Sequence, residues 1–224
     1  SAQEESTDTS AASDSSEASG SKDSSSSTQE EGTLSPSSGS TFTDNSDSSM
    51  DNLLNQVQSL LPTDNGTWSV YVCNLAKNTE GTINDQQMQA ASLIKLYIMG
   101  AVYEDYDSLS SKYSKDQLDN ALNSMITVSD NDAANTLTTY LGGGDSAAGM
   151  QAVNSFCQAH GYDQTHMGRM LLASNENDDN YTSVGDCGHL LQEIYKQDTS
   201  GYTHAADMFN LLKAQTRCNK IPAQ

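Results

Sequence analysis

The run from Ser92 to Tyr103 constrains the fold of this chain more than any other segment. Its sequence, SLIKLYIMGAVY, places a single charged residue, Lys95, among apolar residues. A helix that is apolar on all sides is a buried helix, so this segment is expected to lie inside a larger structure. A lysine is costly to bury in its charged form, so this one needs a polar partner or a lowered pKa.

The composition of the chain changes sharply near residue 50. Residues 1–50 hold nineteen serines, ten acidic residues, one lysine (Lys22) and one aromatic residue (Phe42). Such a segment cannot bury enough apolar surface to offset chain entropy, so we predict that it is disordered. The sequence therefore divides into a solvated acidic leader, residues 1–49, and one globular domain, residues 50–224.

The charge of the chain excludes several classes of partner. A formal net charge of −20 argues against nucleic acid and anionic membrane surfaces, because phosphate binding needs clustered Lys and Arg. No apolar run approaches the length of a transmembrane segment. A Ser/Asp/Glu-rich spacer is typical of exported bacterial lipoproteins, whose anchor would here lie upstream of Ser1. We therefore predict an extracytoplasmic protein, either secreted or lipid-anchored.

Four cysteines are spread along the chain at Cys73, Cys157, Cys187 and Cys218, with no CxxC pair. This spacing disfavours a zinc site. In an exported protein the four could form two disulfides, for which three pairings exist. They could equally be four buried thiols that pack as small apolar side chains, and the sequence leaves both interpretations open.

Hydrophobic periodicity predicts one helix, a β-hairpin and then six more helices. The first helix is Met50–Leu61, and the first strand, Thr67–Leu75, is followed by a turn at Thr79–Gly81 and a short partner strand. An isolated two-stranded hairpin is only marginally stable. Either this hairpin packs on the helices with its edges exposed, or the strands that would complete its sheet are missing from this chain. The later helices are predicted at Ser92–Tyr103, Ser114–Val128 (with a capping box of Ser114 and Gln117), Ala133–Leu141, Ala147–His160, Ser183–Tyr195 and His204–Gln215.

Ser92 and Lys95 form the first motif that can carry chemistry. Their spacing of three places the hydroxyl and the amine on one helical face, one turn apart. A buried lysine can act as a general base, and a serine at a helix N-terminus has backbone N–H groups nearby to stabilise an oxyanion. The alternative is a capping serine and a lysine that reaches the surface, and these two residues alone favour that alternative.

The second motif, Ser129-Asp130-Asn131, lies on the turn between two predicted helices. All three residue types also serve as helix N-caps, which is the alternative interpretation. The combination of the two motifs is nevertheless specific for one group of enzymes: Ser-x-x-Lys lies on a buried helix and Ser-Asp-Asn on a loop between helices. The two are signature motifs of the serine β-lactamases and penicillin-binding proteins.

The chain resembles class A β-lactamases over roughly residues 50–224. The resemblance implies an α+β fold of the β-lactamase/transpeptidase type, with a mostly helical domain and an N-terminal hairpin. It also implies a serine hydrolase that acts on β-lactams or on D-Ala-D-Ala peptides of the cell wall, as a monomer without metal or organic cofactor. The segments that carry it, besides the two motifs, are Val128–Leu137, Thr165–Arg169, Thr182-Ser183 with Leu190-Leu191, and Lys220–Ala223.

The resemblance assigns a role to each matching residue. Ser92 would be the acylated nucleophile and Lys95 its activator, while Ser129 would relay a proton to the leaving nitrogen. Asn131 would bind the amide side chain of the substrate. Asp130 and Arg169 would be structural.

Two departures from the family pattern limit these expectations. The glutamate that drives hydrolysis of the acyl-enzyme should follow Arg169, where this chain has Met170-Leu171-Leu172. Glu176 is a weak substitute that a solvated acidic turn explains as well. The third motif, Lys-Thr/Ser-Gly on a strand, is also absent, so most of the antiparallel sheet is expected to be missing and this chain alone to be inactive.

Two other functions remain open. The chain could be a non-catalytic relative, a surface protein that keeps the fold and binds peptidoglycan or a partner. It could also be a helical interaction module in which Ser92 and Ser129 merely cap helices.

Overall fold

The computed structural model describes residues 45–64, 66–197 and 201–216. Residues 1–44 of the leader lie outside these ranges, so the disorder predicted for the leader stays a prediction. Within the described residues the fold is α+β and mostly helical, with two small antiparallel sheets, as expected. The helices are α1 (Ser48–Leu60), α2 (Ile94–Glu104), α3 (Tyr106–Lys112), α4 (Lys115–Thr127), α5 (Asn131–Leu141), α6 (Ser146–Ala159), α7 (Val184–Lys196) and α8 (Ala205–Lys213).

The hairpin pairs β1 (Val70–Asn74) with β2 (Thr79–Ile83). The predicted turn at Thr79–Gly81 is wrong, because these residues are already paired in β2. The turn lies just before them and uses Asn78 at φ 54°, a left-handed conformation that asparagine tolerates well. A second pair of short strands, β3 (Met88–Gln89) and β4 (Tyr181–Thr182), was not predicted, since two residues carry no periodicity.

The core is built around α2, as its apolar sequence predicts. Ile94, Tyr97, Ile98 and Val102 are fully buried and share one apolar cluster with residues of the other helices. The periodicity of α1 places Leu53, Leu54, Val57, Leu60 and Leu61 on one apolar face, but this face is not buried as a whole, since Leu60 is 82% exposed. Among the described residues, no helix combines the length and apolar character needed to span a membrane.

Three of the four cysteines lie in the described part of the chain, and Cys73, Cys157 and Cys187 are all free thiols. This agrees with the interpretation of the cysteines as packed apolar side chains. Burial raises the pKa of Cys157 and of Cys187, so both thiols stay protonated at neutral pH.

Asp186, in the first turn of α7, is a buried carboxyl that makes stability depend on pH. It is 1% exposed and accepts hydrogen bonds from the Gln164 backbone N–H (3.0 Å) and the Thr165 hydroxyl (2.7 Å). Burial, together with the nearby charges of Asp85 and Asp163, raises its pKa to about 6, although the two hydrogen bonds act in the opposite direction. The folded state therefore holds a proton that the unfolded state releases at about pH 4.

We expect the free energy of unfolding to fall by on the order of 2 kcal/mol as the pH rises from about 4 to above 6. Denaturant unfolding at a series of pH values measures this slope of the free energy of unfolding against pH. Asp186→Asn should remove the part that Asp186 contributes, whereas the exposed Asp116→Asn should retain it. An identical slope in wild type and Asp186→Asn would contradict the assignment.

Candidate active site

Ser92 lies on a single 3-10 turn, Ala91–Leu93, that opens directly into α2. β3 leads into this turn, and the backbone N–H of Ala90 donates to the carbonyl of Asn180 at 2.8 Å. Ala91 has φ 46°, a left-handed conformation that is strained for alanine. Such strain persists only where the surroundings hold it, and here it presents the exposed Ser92 side chain to solvent.

Lys95 lies one turn further along, 2% exposed in the first turn of α2. Its Nζ lies 3.3 Å from Ser92 Oγ and 2.9 Å from Ser129 Oγ. It also donates to the Ser129 carbonyl and to Asn131 Oδ1, each at 2.7 Å. The structure therefore brings together four of the residues expected at the site.

The Ser129 turn joins α4 to α5. Ser129 has φ 60°, again left-handed, and its Oγ lies 3.1 Å from Ser92 Oγ. Asp130 caps α5, because its side chain accepts from the Ala133 backbone N–H at 2.8 Å. The turn is thus fixed by a helix cap on its far side, while the Ser129 hydroxyl faces the hydroxyl of Ser92.

The contacts of Lys95 Nζ define what the cluster can do. Ser129 O and Asn131 Oδ1 can only accept, so two N–H bonds of the amine go to them. The same nitrogen lies within hydrogen-bond reach of the hydroxyls of Ser92 and Ser129. A neutral amine at this distance has a lone pair that can take a proton from a hydroxyl.

A cavity of about 540 Å³ opens beside Ser92. Its polar lining residues are Ser92, Lys95 and Ser129, which contact one another, and Gln89 and Gln215, while the other lining residues are apolar. A concave apolar site with a few convergent polar groups is typical of a small-molecule site. The apolar side chains of the lining are Leu93, Leu96, Met125, Ile126 and Leu212.

A loop, residues 169–180, flanks the segment that precedes Ser92. At its base Arg169 Nε donates to Asp179 Oδ1 at 2.6 Å, and Gln89 Nε2 donates to Asp179 Oδ2. Hydrogen bonds to the Asp179 carboxyl, from the Asn180 backbone N–H first and from Gln89 next, lower its pKa to about 2. Arg169 and Asp179 therefore join the two ends of the loop through an ion pair.

The sequence profile of the Beta-lactamase enzyme family matches residues 52–117 and 108–224 of the chain. The chain belongs to the beta-lactamase enzyme family. Among curated proteins, no sequence matches it significantly.

Solved structures of beta-lactamases share the fold. A mutant of the class A beta-lactamase of the last common ancestor of Gram-negative bacteria superposes with a TM-score of 0.61. It is 20% identical, over 76% of this chain and 75% of that chain. The beta-lactamase from Sphaerobacter thermophilus gives a TM-score of 0.53 at 17% identity, over 70% of this chain and 68% of that one.

Three asparagines of this beta-lactamase fold bond the backbone of the loop or of the segment just before it, and none of the three was predicted from the sequence. Asn135 donates to Leu171 O at 3.0 Å and accepts from Leu171 N at 2.8 Å. Asn154 bonds the backbone of Met167 in the same reciprocal way, at 3.0 and 2.7 Å. Asn180 Oδ1 accepts from the N–H groups of residues 168 and 169, at 3.0 and 3.1 Å.

Glu176 is not brought to the cluster of Ser92, Lys95 and Ser129. It lies exposed on the loop, where its backbone N–H donates to Ser174 Oγ at 3.3 Å. It is not among the described residues that line the cavity beside Ser92. In the described ranges, no group of three or more His, Cys, Asp or Glu side chains could hold a metal ion.

Proposed function

We propose that the chain carries the acyl-transfer site of a serine hydrolase that forms an acyl-enzyme at Ser92. The observation that carries this proposal is the contact of Lys95 Nζ with both Ser92 Oγ and Ser129 Oγ, at 3.3 and 2.9 Å. A nucleophile, a base within hydrogen-bond reach and a third group that orients the base are the parts that covalent catalysis needs. Asn131 supplies the third part, because its Oδ1 accepts from the lysine.

The first chemical step follows from these contacts. Ser92 Oγ attacks the carbonyl carbon of the substrate while its proton passes to the Lys95 amine, directly or through the Ser129 hydroxyl. The Ser92 backbone N–H, at the start of a helical segment, is placed to stabilise the oxyanion. Ser129 Oγ then delivers a proton to the leaving nitrogen as the C–N bond breaks, and it regains a proton from the Lys95 ammonium 2.9 Å away, which returns to the neutral amine. The product is an ester between Ser92 and the acyl group.

The substrate class that fits this step is a β-lactam or a D-Ala-D-Ala-type peptide of the cell wall. Both present an amide carbonyl whose leaving group is a nitrogen that must gain a proton, which is the role proposed for Ser129. The amide nitrogen of Asn131 is proposed to face the amide side chain of the substrate. A cell-wall substrate would place the reaction outside the cytoplasm, in agreement with the prediction from the acidic leader.

Labelling with a fluorescent penicillin tests the proposal in the full-length gene product that contains this chain. We expect one covalent adduct, located by mass spectrometry in the tryptic peptide 78–95, whose only serine is Ser92. An excess of an unlabelled β-lactam added first should suppress the label. A folded protein that forms no adduct and releases no opened β-lactam would instead support the non-catalytic peptidoglycan-binding alternative.

A further inference from the structure

A second cavity, of about 530 Å³, is lined by the end of α2 and by α3, α4 and α8. It shares no described lining residue with the cavity beside Ser92. Most of its described lining residues carry polar side chains, whereas those of the Ser92 cavity are mostly apolar. Its volume lies within the range of small-molecule sites, so the chemistry of its lining indicates which ligand it suits.

One wall of this α4–α8 cavity is a cluster of three rings. Tyr103 and Tyr106 stack with centroids 5.6 Å apart, and the His204 ring lies 5.4 and 5.3 Å from them. The Tyr106 hydroxyl donates to Asp119, and His204 Nδ1 lies 2.9 Å from Asp207 Oδ2. Tyr106 is buried while Tyr103 and His204 are half-buried. The rings are therefore fixed by their own contacts and present a preformed surface to a ligand.

The polar groups of the cavity keep hydrogen-bonding capacity for a ligand. Three exposed amide side chains line it and make no hydrogen bond with another described residue: Asn120, Asn123 and Asn210. Each amide offers two N–H donors and one acceptor oxygen. The Tyr103 hydroxyl likewise has no hydrogen-bond partner among the described residues. Burial, with two nearby carboxylates, raises the pKa of Tyr103 to about 12, so this hydroxyl keeps its proton and can donate.

The charges of the cavity disfavour an ionic ligand. The carboxylates of Asp119 and Asp207 would repel an anion. A cation would compete with Lys115, whose Nζ already lies over the Tyr106 ring, 6.0 Å from its centroid. An apolar ligand would take the amides out of water without giving them a partner. The remaining class is an uncharged ligand that is rich in hydroxyl groups and has an apolar face.

We propose that the α4–α8 cavity binds a saccharide, a short chain of uncharged pyranose units. The C–H face of a pyranose packs against the exposed parts of the Tyr103 and His204 rings. Its hydroxyls both donate and accept, and they pair with the three amides, which also do both. This binding function is separate from the chemistry at Ser92.

Calorimetric titration of the full-length gene product with tri-N-acetylchitotriose and with cellotriose tests the inference. We expect saturable binding of at least one of them at millimolar concentration or below. The double variant Asn120→Ala/Asn123→Ala should bind on the order of tenfold more weakly, because it loses two ligand-bonding amides. Asn55→Ala is the matched control, since this asparagine is also exposed on a helix, α1, and should leave the affinity unchanged.

Weaker binding by the double variant but not by Asn55→Ala supports the inference. Binding of neither saccharide by wild type overturns it, and so does an unchanged affinity in the double variant, because the sugar would then lie elsewhere. If a melting curve shows that the double variant is unfolded, Tyr103→Phe, which removes only the hydroxyl, decides in its place by a several-fold loss of affinity. Penicillin labelling at Ser92 should be equal in all these folded proteins, so a failure of the proposed function is told apart from a failure of this inference.

Discussion

Replacing Lys95 by methionine should lower the rate of penicillin labelling at Ser92 on the order of a thousandfold or more. Methionine has a similar length but cannot accept a proton, and general-base contributions reach about a hundredfold to ten-thousandfold. The same change removes the donor that Ser129 O and Asn131 Oδ1 share, so the relay serine also loses its fixed position. Both effects act on the formation of the acyl-enzyme.

The measurement is the pseudo-first-order labelling rate at several penicillin concentrations, with circular dichroism and a melting curve to show that the variant is folded. Lys112→Met is the matched control, because this lysine is exposed in α3 and the same substitution should leave the rate unchanged. If Lys95→Met labels Ser92 as fast as wild type, the amine is not the base and the proposed mechanism fails.

The features that the sequence predicted best depend on a few residues that are close together in the chain. The capping box of Ser114 and Gln117 is present at the start of α4, and the apolar run predicted the buried α2. Residue type and a spacing of three or four residues determine such features almost alone. The convergence of Ser92 with Ser129 could be expected only from the pair of motifs, because the residues that separate them say nothing about their distance.

The features that were missed depend on contacts between distant segments. Asn135, Asn154 and Asn180 each use an amide side chain to bond the backbone of the loop or of the segment just before it. The residue type alone does not reveal such a partner. The helix α3 was missed because YDSLSSK has too few apolar residues for a clear period. The exposed face of α1 was misjudged because amphipathicity shows that a face is apolar, but not what covers it.

The second large effect concerns the contact between α5 and α6. Gly149, in the first turns of α6, is buried against α5, and a Cβ added to it would lie 1.8 Å from the carbonyl oxygen of Thr138 and 2.7 Å from its carbonyl carbon. Both atoms belong to the backbone of α5, so a rotamer change cannot relieve the overlap. The two helices would have to move apart, although alanine in a helix is otherwise favoured over glycine by about 1 kcal/mol.

We therefore expect Gly149→Ala to destabilise the protein by about 3 kcal/mol or more, a large part of the stability of a typical domain. The helix that must move, α5, begins at Asn131, directly after the Ser129 turn, so the labelling rate should fall as well. A displacement of about 1 Å in a catalytic group can cost on the order of a hundredfold in rate. Denaturant unfolding and penicillin labelling measure the two effects, and Ser155→Ala, exposed on the same helix, should change neither. A Gly149→Ala protein with wild-type stability would show that α5 and α6 are not packed at this distance, and the position assigned to the Ser129 turn would then lose its support.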